Sequence, residues 1–96
     1  MKIGNVEIGN GLALGPMAGV TDLPFRLRCK EQGCELMYTE MVSAKAILYK
    51  NKKTKDLLAI DEDEHPIGVQ LFGSEPDIMA EIAAGVAYGA CDFIDV

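Results

Sequence analysis

The chain has 96 residues, 49% of them hydrophobic and 25% charged, which is a globular balance and argues against a disordered segment. Its net charge of −6 makes it a poor default binder of phosphate backbones. Its three cysteines, Cys29, Cys34 and Cys91, come without a CxxC spacing and with one histidine, His65, so a zinc centre is not indicated and reduced thiols are expected. No apolar run approaches the ~20 residues that cross a bilayer. The opening MKIGNVEIGNG holds no signal-peptide core. A cytoplasmic protein, with no membrane and no metal partner, is the expectation.

In chain order, Ile3, Val6 and Ile8 alternate among Gly and Asn, which predicts a small hairpin over Lys2–Ile8. Leu12–Met17 is the first apolar run and the first predicted core strand. A helix follows, started by Asp22 as a cap, with Pro24 early in it, Leu23 and Leu27 on one face, and Gly33 as terminator. Leu36–Met41 is the second strand. Ser43 then caps a short helix to Tyr49, and a second helical piece covers Lys53–Leu58. Ile67–Phe72 is the third strand, and GVQLF within it is apolar enough to be covered on both faces. Ser74-x-x-Asp77 reads as a weak capping box. It opens a helix whose stripe is Ile78, Ile82 and Val86, with Met79 and Ala83 beside it. Gly89 ends this helix, and the last strand runs from Cys91 to Val96.

Two charged runs interrupt this pattern. Lys50, Lys52, Lys53 and Lys55 form a basic one, and Asp61, Glu62, Asp63 and Glu64 an acidic one. A solvated loop and helix face accounts for both. His65, beside Pro66, is expected at the surface.

Strands alternating with helices predict βαβ units and a parallel sheet. The β/α units recur about every 25–31 residues, a spacing that suits a (β/α)8 TIM barrel of roughly 250 residues. The chain stops inside its fourth strand, and a four-stranded half-sheet leaves two edges unprotected. The fold class expected is therefore α/β, about four β/α units forming the N-terminal part of such a barrel. Residues 1–96 would be the first portion of its catalytic domain, without the second half-barrel.

Barrel active sites lie at the carboxyl ends of the strands. Those positions here are Pro16, Met17, Ala18 and Gly19, then Glu40 and Met41, then Gln70, Phe72 and Gly73, and finally Asp95. Small residues let a flat ligand approach the backbone. The Gln70 amide offers a donor and an acceptor together, as the pyrimidine edge of a flavin requires. An ordinary turn at Pro16–Gly19 and a strand-tying amide at Gln70 fit the residues equally well. Glu40 is open between an acid, a base, a substrate-binding carboxylate and a salt bridge. No Ser/His/Asp arrangement and no G-x-G-x-x-G is visible.

The segments GPMAGVTDLPFRLRCKEQGCELMYTEMVSAKAILY and PIGVQLFGSEPDIMAEIA resemble the start of bacterial tRNA-dihydrouridine synthases. The resemblance covers essentially the whole chain. PMAGVTDxPFR, YTEMVSA and QLFGS, in that order and spacing, carry it. It implies a (β/α)8 barrel holding FMN, followed by a small helical domain. It further implies an oxidoreductase that uses NADPH to reduce the flavin, and the flavin to reduce the uracil C5–C6 bond of particular tRNA uridines. By position, Pro16, Met17 and Ala18 match the segment contacting the isoalloxazine, and Gln70 the glutamine bonded to it. The family's catalytic cysteine follows the strand that includes Phe93–Val96. None of Cys29, Cys34 and Cys91 matches it, so the resemblance implies no catalytic residue within this chain and no activity of the chain alone. Two alternatives remain at this level. One is another FMN-dependent barrel of the dihydroorotate dehydrogenase kind; the other is a non-catalytic half-barrel module.

Overall fold

The computed structural model describes every residue except Tyr88 and Ala90. The chain opens on an antiparallel hairpin of β1 (Lys2–Ile3) and β2 (Val6–Glu7), as the alternation predicts. Leu12–Met17 does not become a full strand. It makes one parallel bridge, Ala13 opposite Leu36, with Leu14 N–H donating to the Leu36 carbonyl at 2.9 Å. Pro16 has no N–H to extend the ladder, and Gly15 adds no side chain to pack.

Helix α1 (Leu23–Glu31) is capped by the Asp22 carboxylate, which accepts from Phe25 N–H at 3.0 Å. It closes where Gln32 and Gly33 N–H turn back onto the carbonyls of Arg28, Cys29 and Lys30. The second predicted strand is split into β3 (Met37–Tyr38) and β4 (Val42–Ser43). The register explains the break. Met37 lies opposite Ile67, an offset of 30, whereas Val42 lies opposite Leu71, an offset of 29. One extra residue is therefore accommodated within 39–41, as in a β-bulge, and bulges re-aim side chains near active sites.

Helices α2 (Ala44–Leu48) and α3 (Lys52–Leu57) follow, capped by the Ser43 hydroxyl and the Asn51 amide oxygen. The acidic run is a 3-10 turn, Glu62–Glu64, rather than a solvated loop, and Asp61 and Glu64 close a capping box around it. The central strand β5 (Ile67–Phe72) pairs in parallel with β3 and β4, and also with β6 (Phe93–Asp95). Gly68 is registered with both Tyr38 and Phe93, so those two strands flank β5 on opposite edges. The parallel sheet thus runs in chain order from the Ala13 segment to β6. Helix α4 (Pro76–Ala87) separates β5 from β6. It begins at Pro76, so Ser74 lies outside its first turn and the predicted capping box there does not form. Proline suits that first position because its missing N–H would be unpaired anyway.

The two faces of β5 are chemically distinct. Val69 and Leu71, with Val42, are buried under Met79, Ile82, Ala83 and Val86 of α4 and under residues of α2 and α3. Burying each such aliphatic side chain contributes about 1.5–3 kcal/mol. The opposite face carries Gly68, Gln70 and Phe72, by strand alternation. There the Tyr38 and Phe93 rings meet edge to face, with centroids 5.5 Å apart. A Cβ at position 68 would run into the Phe93 ring, so glycine is what lets this aromatic contact form across β5.

Candidate functional site

The structure brings the predicted strand-end residues together. Glu40, 9% exposed, accepts a hydrogen bond from Gly19 N–H. The next residue back, Thr39, receives Gln70 N–H on its hydroxyl at 3.2 Å. Gln70 Nε2 in turn donates to Asp95 Oδ2 at 2.8 Å. These three bonds link all four strand ends in sequence order. They also show what Gln70 does within this chain: it ties β5 to β6. No described cation pairs with Glu40, so its carboxylate serves a backbone amide and not a salt bridge.

The segment after the first strand is held by its own bonds. The buried Thr21 hydroxyl accepts from Met17 N–H at 3.0 Å and donates to the Met17 carbonyl at 3.2 Å. Gly19 has φ of +78°, a conformation that favours glycine. Met17 is 49% exposed, and Ala18 is exposed beside it. Among the described residues none hydrogen-bonds the Pro16 carbonyl, either backbone group of Ala18, or Gln70 Oε1. The second hydrogen of Gln70 Nε2 is likewise unclaimed. Donors and acceptors thus lie free on the first and third strand ends, and the exposed Met17 side chain lies on the first. That donor set fits the edge of a flat heterocycle such as a flavin, and Met17 suits its face. Pro16, Met17, Ala18 and Gln70 are the residues that would hold it.

Sequence reasoning missed the support beneath this segment. Arg26 is 2% exposed and Glu64 fully buried. Arg26 Nε donates to Glu64 Oε2 at 2.5 Å and Nη2 to Oε1 at 3.3 Å. Nη1 also donates to the Thr21 carbonyl, at 3.0 Å, and Nη2 to the Ala59 carbonyl, at 2.9 Å. Thr21 therefore fixes Met17 from one side and is itself fixed by Arg26 from the other. The available signal was Arg26 lying three residues after Leu23, on the apolar side of α1.

The thiols and the histidine lie away from this end. Cys34 precedes β3 and Cys91 precedes β6, and burial pushes both thiols above the ordinary range, which keeps them protonated. His65, 39% exposed, bonds Asp92 through Nδ1 at 2.7 Å, before the starts of β5 and β6. Among the described residues no group of His, Cys, Asp and Glu could hold a metal ion. No described helix is long and apolar enough to cross a membrane.

Consecutive parallel strands joined through helices define the class, an α/β protein whose polar residues gather at the carboxyl ends of its strands. Within that class, residues 12–96 match the family model described as Dihydrouridine synthase (Dus), and the chain belongs to that family. It is 38% identical over 96 residues to tRNA-dihydrouridine synthase B of Vibrio parahaemolyticus, covering all of this chain and 30% of the relative. It is 39% identical over 97 residues to the protein of that name from Pseudomonas syringae pv. tomato, again over the whole chain and 28% of the relative. The same name and identity apply to the Pasteurella multocida protein, of which 29% is covered. The chain therefore spans about 30% of the length of the curated relatives it matches.

Proposed function

We propose that this chain is the N-terminal portion of the (β/α)8 catalytic domain of a tRNA-dihydrouridine synthase, an FMN- and NADPH-dependent oxidoreductase of the cytoplasm. The observation that carries the proposal is the hydrogen-bonded linkage of the four strand ends, on which the Pro16 carbonyl, the Ala18 backbone and Gln70 Oε1 are left unclaimed among the described residues. Bound there, FMN supplies the hydride that reduces the uracil C5–C6 bond of a tRNA uridine, with NADPH as the source of reducing equivalents. The residues of this chain bind and orient. Met17 and Ala18 would pack on the flavin ring, the Ala18 backbone and the Gln70 amide would hydrogen-bond its pyrimidine edge, and Thr21 and Glu40 hold the segment in place. The thiols of Cys34 and Cys91 precede β3 and β6, at the other end of the sheet, and do not supply the proton for uracil C5.

Gln70→Leu tests the assignment in the protein as expressed from its own gene. Leucine keeps the bulk and removes both hydrogen-bonding functions. Leaving a buried polar ligand edge unpaired costs about 1–3 kcal/mol, an expected roughly ten- to hundredfold weakening of FMN binding. The bond to Asp95 is removed as well, so the apoprotein melting temperature is measured beside the FMN dissociation constant. A melting shift with FMN affinity and turnover unchanged would reject the flavin role and leave Gln70 as a strand tie.

A further inference from the structure

We infer that the exposed lysine cluster Lys50, Lys52, Lys53 and Lys55, on the turn between α2 and α3 and on α3 itself, is a contact surface for the phosphate backbone of an RNA. The inference rests on the reading that the substrate is a tRNA. Its starting point is an imbalance of charge. The chain has 9 Lys and Arg against 15 Asp and Glu, yet four of those cations fall within a six-residue stretch. All four are exposed, and among the described residues none of them is in a salt bridge, whereas Arg26, Arg28 and Lys45 all are.

The cluster also runs against local stability. Helix α3 has no acidic residue in its first turn and carries Lys52 and Lys53 there. Cations at a helix N-terminus oppose the helix dipole, which favours anions at that end. Lys50 has φ of +56°, the one described non-glycine residue with positive φ, in a region that L-residues with a Cβ seldom enter. Features that violate local preference in one place mark function more often than folding.

The geometry gathers the charge outward. Thr54 is buried and Leu57 and Leu58 are half-buried, which fixes the inner side of α3. Lys52, Lys53 and Lys55 therefore occupy its outer arc at 100° per residue, with Asp56 as the one acidic residue among them. Helix α2 begins directly after β4 and is five residues long, so the chain advances only about 7.5 Å along its axis before reaching Lys50. The patch thus follows closely on the strand end that carries the Glu40 contact. Flexible ammonium groups unpaired with protein carboxylates suit phosphates, which they meet as point charges and without base readout.

The test compares the protein as expressed from its own gene with a form carrying Lys50→Gln, Lys52→Gln, Lys53→Gln and Lys55→Gln, and with an Arg28→Gln control. The probe is an unmodified tRNA transcript, its affinity followed between about 50 and 200 mM salt. Each phosphate that is no longer neutralised lowers the slope of log affinity against log salt by nearly one. The expected result is a slope smaller by about two to three units and binding weakened roughly ten- to hundredfold at low salt. The melting temperature should stay unchanged or rise, because repulsion is relieved. The KM for tRNA should rise with kcat unchanged, and Arg28→Gln should behave as the parent. An absence of salt-dependent tRNA binding by the parent, or a slope that the four substitutions leave unchanged, overturns the inference. Dihydrouridine formation by the parent tests the functional reading separately, and the slope comparison decides the patch whether or not that product appears.

Discussion

At the scale of single residues, the buried Arg26–Glu64 pair is the most exacting arrangement in the chain. Two charges removed from water are stabilising only if their remaining hydrogen-bonding capacity is met, and here Thr21, Ala59 and Asp61 supply the other partners. Glu64→Gln leaves the guanidinium buried without its counter-charge. It is expected to destabilise the fold by about 3–5 kcal/mol in urea denaturation. A double replacement, Arg26→Leu with Glu64→Leu, should cost less than either single change, because no charge is left unpaired. If Glu64→Gln unfolds at the parent's urea midpoint, the pair is not what anchors Thr21. Where it does destabilise, the Met17 segment loses its anchor too, so an effect on FMN affinity should accompany the effect on stability.

At the scale of elements, the sheet depends on how closely side chains cross β5. Neighbouring strands lie about 4.8 Å apart, and Phe93 on one flank reaches Tyr38 on the other over the bare backbone of Gly68. Gly68→Ala puts a methyl group into the Phe93 ring. Overpacking of this kind typically costs about 1–3 kcal/mol, so thermal denaturation should show a clear drop in midpoint. Adding Phe93→Leu to Gly68→Ala should return part of the stability, since the smaller side chain vacates the space. A Gly68→Ala protein as stable as the parent would mean that Phe93 turns aside freely and that the aromatic contact does not order β6 against β5.

At the scale of the whole molecule, the 96-residue chain on its own is expected not to reduce tRNA uridine. Cys34 and Cys91 precede strands and are held protonated by burial, and Cys29 sits on α1. None reaches the strand ends where Gln70 and Asp95 meet. A missing general acid alone commonly lowers a rate by about 10²–10⁴-fold. On the proposed reading these residues would meet only the flavin ring, since (β/α)8 enzymes commonly build the phosphate grip after their last strands. Dihydrouridine in tRNA treated with the mass-verified chain, FMN and NADPH would contradict this outcome.

Much of this protein was legible from local signals. Asp22, Ser43 and Asn51 each accept from an amide in the first turn of a helix, and two of them, Asp22 and Ser43, follow from the sequence because capping is decided within one turn of chain. The α4 stripe and the apolar strands followed from periodicity. The strand-end residues could be picked out because alternation along the chain implies which ends gather. The boundaries were less accessible. The break within 37–43 depends on register against β5, and the shortfall of the first strand depends on its one partner, Leu36. Glu64 looked like its three acidic neighbours, and only the approach of Arg26 from 38 positions away separates it from them. Composition, caps and hydrophobic period thus determined the α/β class and which residues stand at the strand ends, because those depend on neighbours in the chain. Which carboxylate is buried, which strand is interrupted and which partner Gln70 takes were decided by the tertiary structure, because each depends on a contact between residues distant in sequence.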